Sequence, residues 1–203
     1  MKRLTFSAAA AMLALAATSA GAADAESMMA DCDGCHGPGG VSESSDVPTI
    51  AGFPEFVHVD ALYVYQDEAR PCAESDYRHG DTSKAATTMC AVAAELSEDD
   101  IDAIAAAYAE LDYVKAKQDF DAGLADTGKA LHEEHCDRCH SEAGTNVDDE
   151  AGLLGGQMMG YLETTFAQFS DGSREQPKKM KEKFDTLSAD DKKALVNYYG
   201  SIQ

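Results

Sequence analysis

A chain of 203 residues is long enough for one large domain or two small ones, and its 37 Asp and Glu against 16 Lys and Arg give a formal charge of −21. So acidic a chain does not hold nucleic acid or an anionic membrane surface through charge. The excess suits a partner with a basic docking face, and it equally suits solubility alone.

Taken in order, residues 1–23 read as a signal peptide. Lys2 and Arg3 form a basic start, residues 8–17 an uncharged apolar run, and Ala20, Gly21 and Ala22 a small-residue cleavage site. The apolar run is too short to span a bilayer, and no later stretch is long and apolar enough. The expectation is an exported, periplasmic protein that is not membrane-spanning.

Residues 26–36 predict a short helix stopped by Gly37-Pro38-Gly39-Gly40. A polar loop follows over 41–49. Val57, Ala61, Leu62 and Tyr65 then recur at helical spacing. Residues 67–88, rich in Pro, Gly, Ser, Thr and charge, read as a long loop. Ser97 with Asp100 three residues on is a capping-box pair, and Ile101, Ile104, Tyr108 and Leu111 mark the buried face of the helix it starts. Residues 115–124 read as a linker or short helical bridge. A further helix is expected from Thr127 into Cys136, then polar loop over 141–152. Residues 160–169 form a helix with Tyr161, Leu162, Phe166 and Phe169 inward, and 170–177 a loop. Ser188 and Asp191 cap a last helix burying Leu195, Tyr198 and Tyr199. The fold class is all-α, with a first domain over 24–114, a linker over 115–125 and a second domain over 126–203.

Two of the predicted helices end in one motif. Cys32-Asp33-Gly34-Cys35-His36 recurs as Cys136-Asp137-Arg138-Cys139-His140. Cys-x-x-Cys-His is the attachment sequence of a c-type haem. Two thiols a turn apart can add to the two vinyl groups on one porphyrin edge. The next residue then brings an imidazole nitrogen under the iron. Two copies predict two covalently bound haem c groups, held by Cys32, Cys35, Cys136 and Cys139, with His36 and His140 as iron ligands. Cys72 and Cys90 remain, and an oxidising compartment favours pairing them.

The motifs belong to an internal repeat. Cys32 and Cys136 stand 104 positions apart, as do Gly52 and Gly156, and Leu62 and Phe166. Farther on, the spacing is 91: Leu96-Ser97 matches Leu187-Ser188, and Tyr108 matches Tyr199. The first half therefore carries about 13 extra residues between Gln66 and Thr88, and Cys72 lies among them. The same spacing of 91 relates Met89 to Met180. A thioether suits haem iron, and a His/Met pair favours a high reduction potential. Met89 and Met180 are thus the expected second ligands. Met158 and Met159 have no Met counterparts and are expected to pack against haem or core. Met28 and Met29 sit on the His side. His58 and His79 have no second-half partners, and His132 and His135 share the helix of the second motif.

The whole pattern resembles a tandem dihaem class I cytochrome c. Within that group, residues 120–128 (Phe-Asp-Ala-Gly-Leu-Ala-Asp-Thr-Gly), Gly155-Gly156-Gln157, Tyr161-Leu162 and Lys178-Lys179-Met180 resemble the cytochrome subunit of flavocytochrome c sulfide dehydrogenase. The resemblance implies two helical haem domains related by a pseudo-twofold axis, His36/Met89 and His140/Met180 ligation, and a flavoprotein (FAD) subunit that oxidises sulfide and passes electrons to this chain. The cytochrome c4 type is the close rival and implies a stand-alone carrier to a terminal oxidase. A dihaem enzyme, such as a peroxidase or a thiosulfate dehydrogenase, would need an open or exchangeable iron position. No Gly-x-Gly-x-x-Gly follows a strand here, so a flavin would have to come from another polypeptide.

Overall fold

The computed structural model describes residues 20–203. Residues 1–19, which hold most of the expected leader, lie outside the described residues. Among the described residues no helix is long and apolar enough to cross a membrane.

Each half opens on a helix that ends in its cysteine motif. Helix α1 (Ala20–His36) carries the first motif. In the first half, α2 (Glu55–Gln66), α3 (Met89–Ala94) and α4 (Glu98–Ala109) follow. Helix α5 (Ala122–His135) opens the second half, with Cys136 as its C-cap. A short turn α6 (Ser141–Gly144) comes next, then α7 (Met159–Asp171), α8 (Lys178–Phe184) and α9 (Ala189–Ser201). Helix α5 begins five residues before the expected Thr127 and inside the stretch expected as linker. Asp121 is the reason, since its carboxylate accepts from Leu124 N at 3.0 Å and caps the helix. Leu111 lies beyond the end of α4 and is exposed rather than buried. The long loop holds a two-stranded antiparallel ladder, β1 (Glu74–Ser75) with β2 (Thr87–Thr88).

The two halves repeat in hydrogen bonds as well as in letters. Both capping boxes form: Asp100 N bonds Ser97 Oγ and Ser97 N bonds Asp100 Oδ2, and Ser188 and Asp191 do the same. Each contributes about 1 kcal/mol to its helix. Ile50 N donates to Gly40 O and Leu154 N to Gly144 O, both at 2.8 Å. Gly52 N reaches Tyr108 O at 2.9 Å, and Gly156 N reaches Tyr199 O at 2.8 Å.

In the second half α5 crosses α9 at closest approach through Gly128. A Cβ there would stand 2.1 Å from Ala194 O. The core beneath is formed by Leu162, Phe166, Phe169, Phe184, Leu187, Leu195, Val196, Tyr198 and Tyr199. Phe184 meets Phe166 edge-on at 5.2 Å and Phe169 at 5.7 Å. In the first half, Tyr108 on α4 holds α1, its hydroxyl donating to Asp33 Oδ1 at 2.7 Å and lying 3.1 Å from Met29 O.

A polar pin joins the halves. Gln157 is fully buried; its Oε1 accepts from Thr49 N and its Nε2 donates to Thr49 O, both at 2.9 Å. Beside it, Tyr161 N donates to Ser45 O at 2.8 Å. Cys72 and Cys90 form the expected disulfide, with their Cα atoms 5.8 Å apart. Closing a loop of this length contributes roughly 3 kcal/mol. His58 is buried in α2 among aromatic rings, 6.0 Å from Phe53 and 5.8 Å from Tyr108. Burial, and then His36 nearby, push its pKa down to about 4.

Two predictions follow from this packing. Gly128→Ala should gain about 1 kcal/mol of helix propensity but lose about 1–3 kcal/mol to overpacking against a backbone carbonyl. Calorimetry should show a lower melting point, and an unchanged or raised one would remove Gly128 from the crossing. His58 stays neutral in the fold until about pH 4, whereas in the unfolded chain it takes its proton near pH 6.5. Its contribution is full above pH 6.5 and is lost as pH falls toward 4, by about 3 kcal/mol in all. His58→Leu should flatten that limb of the stability–pH curve; an unaltered slope would contradict it.

Candidate haem centres

The first centre is built on the last turn of α1. Cys32, Cys35 and His36 follow one another on one helix end, and Asp33 fixes the chain beyond it. Its carboxylate accepts from Gly39 N at 2.7 Å and Gly40 N at 2.9 Å. His36 is buried, with Nδ1 2.9 Å from Pro48 O. A carbonyl only accepts, so Nδ1 carries the hydrogen and Nε2 keeps its lone pair. Burial also lowers the His36 pKa, which keeps the ring neutral. A neutral ring oriented by its second nitrogen is what an iron ligand requires.

The second centre repeats this at the end of α5. His140 Nδ1 is buried with no partner at hydrogen-bond distance. Burial, and then His132 nearby, lower the His140 pKa, with the Gly152 carbonyl, 104 positions after Pro48, acting against them.

The thiols match a covalent attachment. Cys72 and Cys90 are paired, whereas Cys32, Cys35, Cys136 and Cys139 are free. Burial, and then the Asp33 carboxylate, push the Cys32 thiol up to about 11. Burial raises Cys35 and Cys136 as well. Among the described residues no three His, Cys, Asp or Glu gather as ligands for a bare metal ion. One imidazole and one thioether per half suit an iron that arrives inside a macrocycle.

Met180 lies on α8, half-buried against the core cluster on which Cys136 also packs. Met89 opens α3, half-buried, one residue before the bridged Cys90. Met158 is buried in the core, and Met159 packs on the second-half cluster. Met29 lends its carbonyl to Tyr108. His132 is buried on α5, with Nδ1 3.0 Å from the Tyr199 hydroxyl. His135 lies beside Glu134, and His79 sits in the inserted loop.

A further cluster was not singled out from the sequence. Arg70 is buried with its guanidinium 4.4 Å over the Tyr65 ring, and Arg174 lies 4.8 Å over Phe169. Both pairs keep the 104-residue spacing, which was the signal available. Both guanidiniums act on Tyr161; burial raises its pKa, but the two cations outweigh it and bring the phenol down to about 8. Two cations meeting between the halves form a setting for carboxylates, and a haem carries two.

Known proteins match this geometry. Residues 123–198 match the family described as cytochrome C oxidase, cbb3-type, subunit III. A protein of Thiomonas intermedia (strain K12) described as a thiosulfate dehydrogenase electron acceptor is 30% identical in an alignment of 157 residues that covers 71% of this chain. The chain spans 65% of that relative's length. Reduced recombinant cytochrome c4 from Pseudomonas stutzeri superposes with a TM-score of 0.71 at 24% identity, covering 90% of this chain and 98% of its own. Acidithiobacillus ferrooxidans cytochrome c4 gives 0.69 at 23% identity, covering 85% and 99%. The thiosulfate dehydrogenase of Marichromatium purpuratum gives 0.64 at 25% identity, covering 84% of this chain and 36% of its own. Residues 123–198 thus match a cytochrome family model, and the chain as a whole has the tandem fold of the dihaem class I cytochromes.

Proposed function

We propose that this chain is a two-haem electron carrier, taking electrons from an enzyme that oxidises an inorganic sulfur compound. The observation that carries the reading is the doubled helix end, with two free thiols and a His kept neutral by burial in each half, the first of them oriented by the Pro48 carbonyl. Cys32, Cys35 and His36 would hold one haem, and Cys136, Cys139 and His140 the other, with Met89 and Met180 as the second iron ligands. Haem, when bound, supplies a one-electron iron centre. The residues around it would hold its position, and the Pro48 carbonyl fixes the His36 tautomer. Arg70 and Arg174 would take its carboxylates. With a His and a Met of the chain holding each iron, neither centre would offer a place for substrate, which supports a carrier over a peroxidase.

The thiosulfate dehydrogenase electron acceptor to which the chain is similar supports a thiosulfate-oxidising donor. The resemblance of residues 120–128 supports a sulfide-oxidising flavoprotein instead. Mixing the oxidised holoprotein with each purified donor and its substrate distinguishes them by which one reduces the haem bands. Reduction by neither removes the sulfur donor from the reading and leaves the carrier.

Ligation is tested residue by residue. Met180→Ala should keep both haems by mass spectrometry and lose one sulfur-to-iron absorption band. An unchanged spectrum would remove Met180 from the ligand set. Because Cys90 follows Met89 and is tied to Cys72, mild reduction of the bridge should disturb the first haem's Met band and spare the second. A spectrum untouched by reduction would leave the bridge with loop stabilisation alone.

A further inference from the structure

The two cysteine motifs are not equally open. In the first, Asp33 and Cys35 are half-buried and Gly34 is buried; in the second, Asp137, Arg138 and Cys139 are all exposed. The cover is the inserted loop. Arg78 N and His79 N both donate to Gly34 O, at 2.7 and 3.0 Å. The Cys35 thiol points to Asp76 O at 3.6 Å. Tyr77 lies so close over Gly34 that a Cβ there would stand 2.6 Å from its ring. Lys84 pairs with Asp31 at 2.7 Å and Arg78 with Asp46 at 2.8 Å, and the disulfide ties the loop's base. The thioether bonds lie along one porphyrin edge, so a loop seated between the two cysteines closes that edge. The second half has no such loop.

Charge marks the same half. Four of the chain's 16 basic residues fall within six positions, Lys178, Lys179, Lys181 and Lys183, all exposed on α8 around Met180. The matching positions around Met89 are uncharged. Lys181 pairs with Asp185 at 2.9 Å. Among the described residues, Lys178, Lys179 and Lys183 have no ion-pair partner. Lys178 and Lys179 also occupy the first turn of α8, where the helix dipole disfavours cations. Helix stability does not account for them. On the motif side of this half, Glu133, Glu134 and Asp137 are exposed with Arg138, three acids to one base, whereas α8 carries its four lysines with Glu182, so the opening has one basic and one acidic flank.

We propose that the second half is the port through which this chain exchanges electrons, and that the α8 lysine ridge docks a redox protein presenting a carboxylate patch. The loop closes the corresponding edge of the first half. The acidic flank of α5 repels the partner's carboxylates and so fixes its orientation on α8. The local charge is opposite to the net charge, and within a Debye length of about 10 Å at 0.1 M salt it is the local charge that a docked partner meets. This inference rests on the two-haem carrier reading above.

The test uses the full-length holoprotein and an acidic plastocyanin as probe. One electron passes from the reduced chain to copper(II), followed by stopped flow from 50 to 500 mM salt. Docking on α8 predicts a rate that falls with salt although both proteins are net acidic; a rate that rises or stays level overturns the proposal. The triple variant Lys178→Glu, Lys179→Glu, Lys183→Glu should slow the reaction at least tenfold at 50 mM salt. The double variant Glu74→Lys, Asp76→Lys on the loop should change it less than twofold. A larger effect from the loop variant, or none from the triple variant, places the port elsewhere. Amide line broadening on adding redox-inactive, copper(I) plastocyanin to the reduced wild-type protein gives a second reading that needs no variant. Broadening centred on α8 supports the proposal, and broadening centred on residues 74–84 overturns it. A holoprotein without two haems by mass would instead fail the carrier reading, so the two failures are told apart.

Discussion

Each half depends on how the helix that ends in the cysteine motif is held against the last helix of that half. In the second half the constraint is steric. Gly128 lets the backbones of α5 and α9 meet where any side chain would strike the Ala194 carbonyl. In the first half it is polar, because Tyr108 reaches across to Met29 O and to Asp33 between the cysteines. Either way, the end of the motif helix is fixed in position and rotation. That decides where two thiols and an imidazole point. The loops after the motif then follow, Gly40 and Gly144 receiving equivalent amide bonds.

The halves are joined by polar groups, and the polarity matters. Gln157 has no solvent contact; its amide bonds both the N–H and the carbonyl of Thr49, and its oxygen also accepts from Met158 N. Such a pair specifies one relative placement, because sliding either half leaves a buried amide unpaired at a cost of about 1–3 kcal/mol. Arg70 and Arg174 add a second condition, since each must be stacked on its own ring while both act on one phenol.

The halves differ where the sequence departs from its own repeat. The roughly 13 added residues became a cover on one motif, tied down by a disulfide and two ion pairs. The lysines around Met180 gave the other half a basic flank in a chain of charge −21. The symmetry therefore belongs to the frame and the asymmetry to the surface, which is where partners are chosen.

The sequence by itself determined the frame. Two Cys-x-x-Cys-His runs, two capping boxes, apolar periodicity and the spacings of 104 and 91 residues predicted α1, α2, α4, α5, α7, α9 and the pairing of halves, whereas α3 and α8, which carry Met89 and Met180, were not predicted because they are one or two turns long. The Cys72–Cys90 bridge was also legible, from the count of cysteines left over. The start of α5 was missed because Asp121 caps it in a stretch that reads as linker. The ladder in the long loop was missed because two-residue strands have no periodicity. Only the tertiary structure decided that Gly34 is covered and Arg138 is open, that Pro48 orients His36, and that Arg70 and Arg174 converge on Tyr161. Those facts join residues tens of positions apart, and nothing in the local order of the chain encodes which distant groups will share one space.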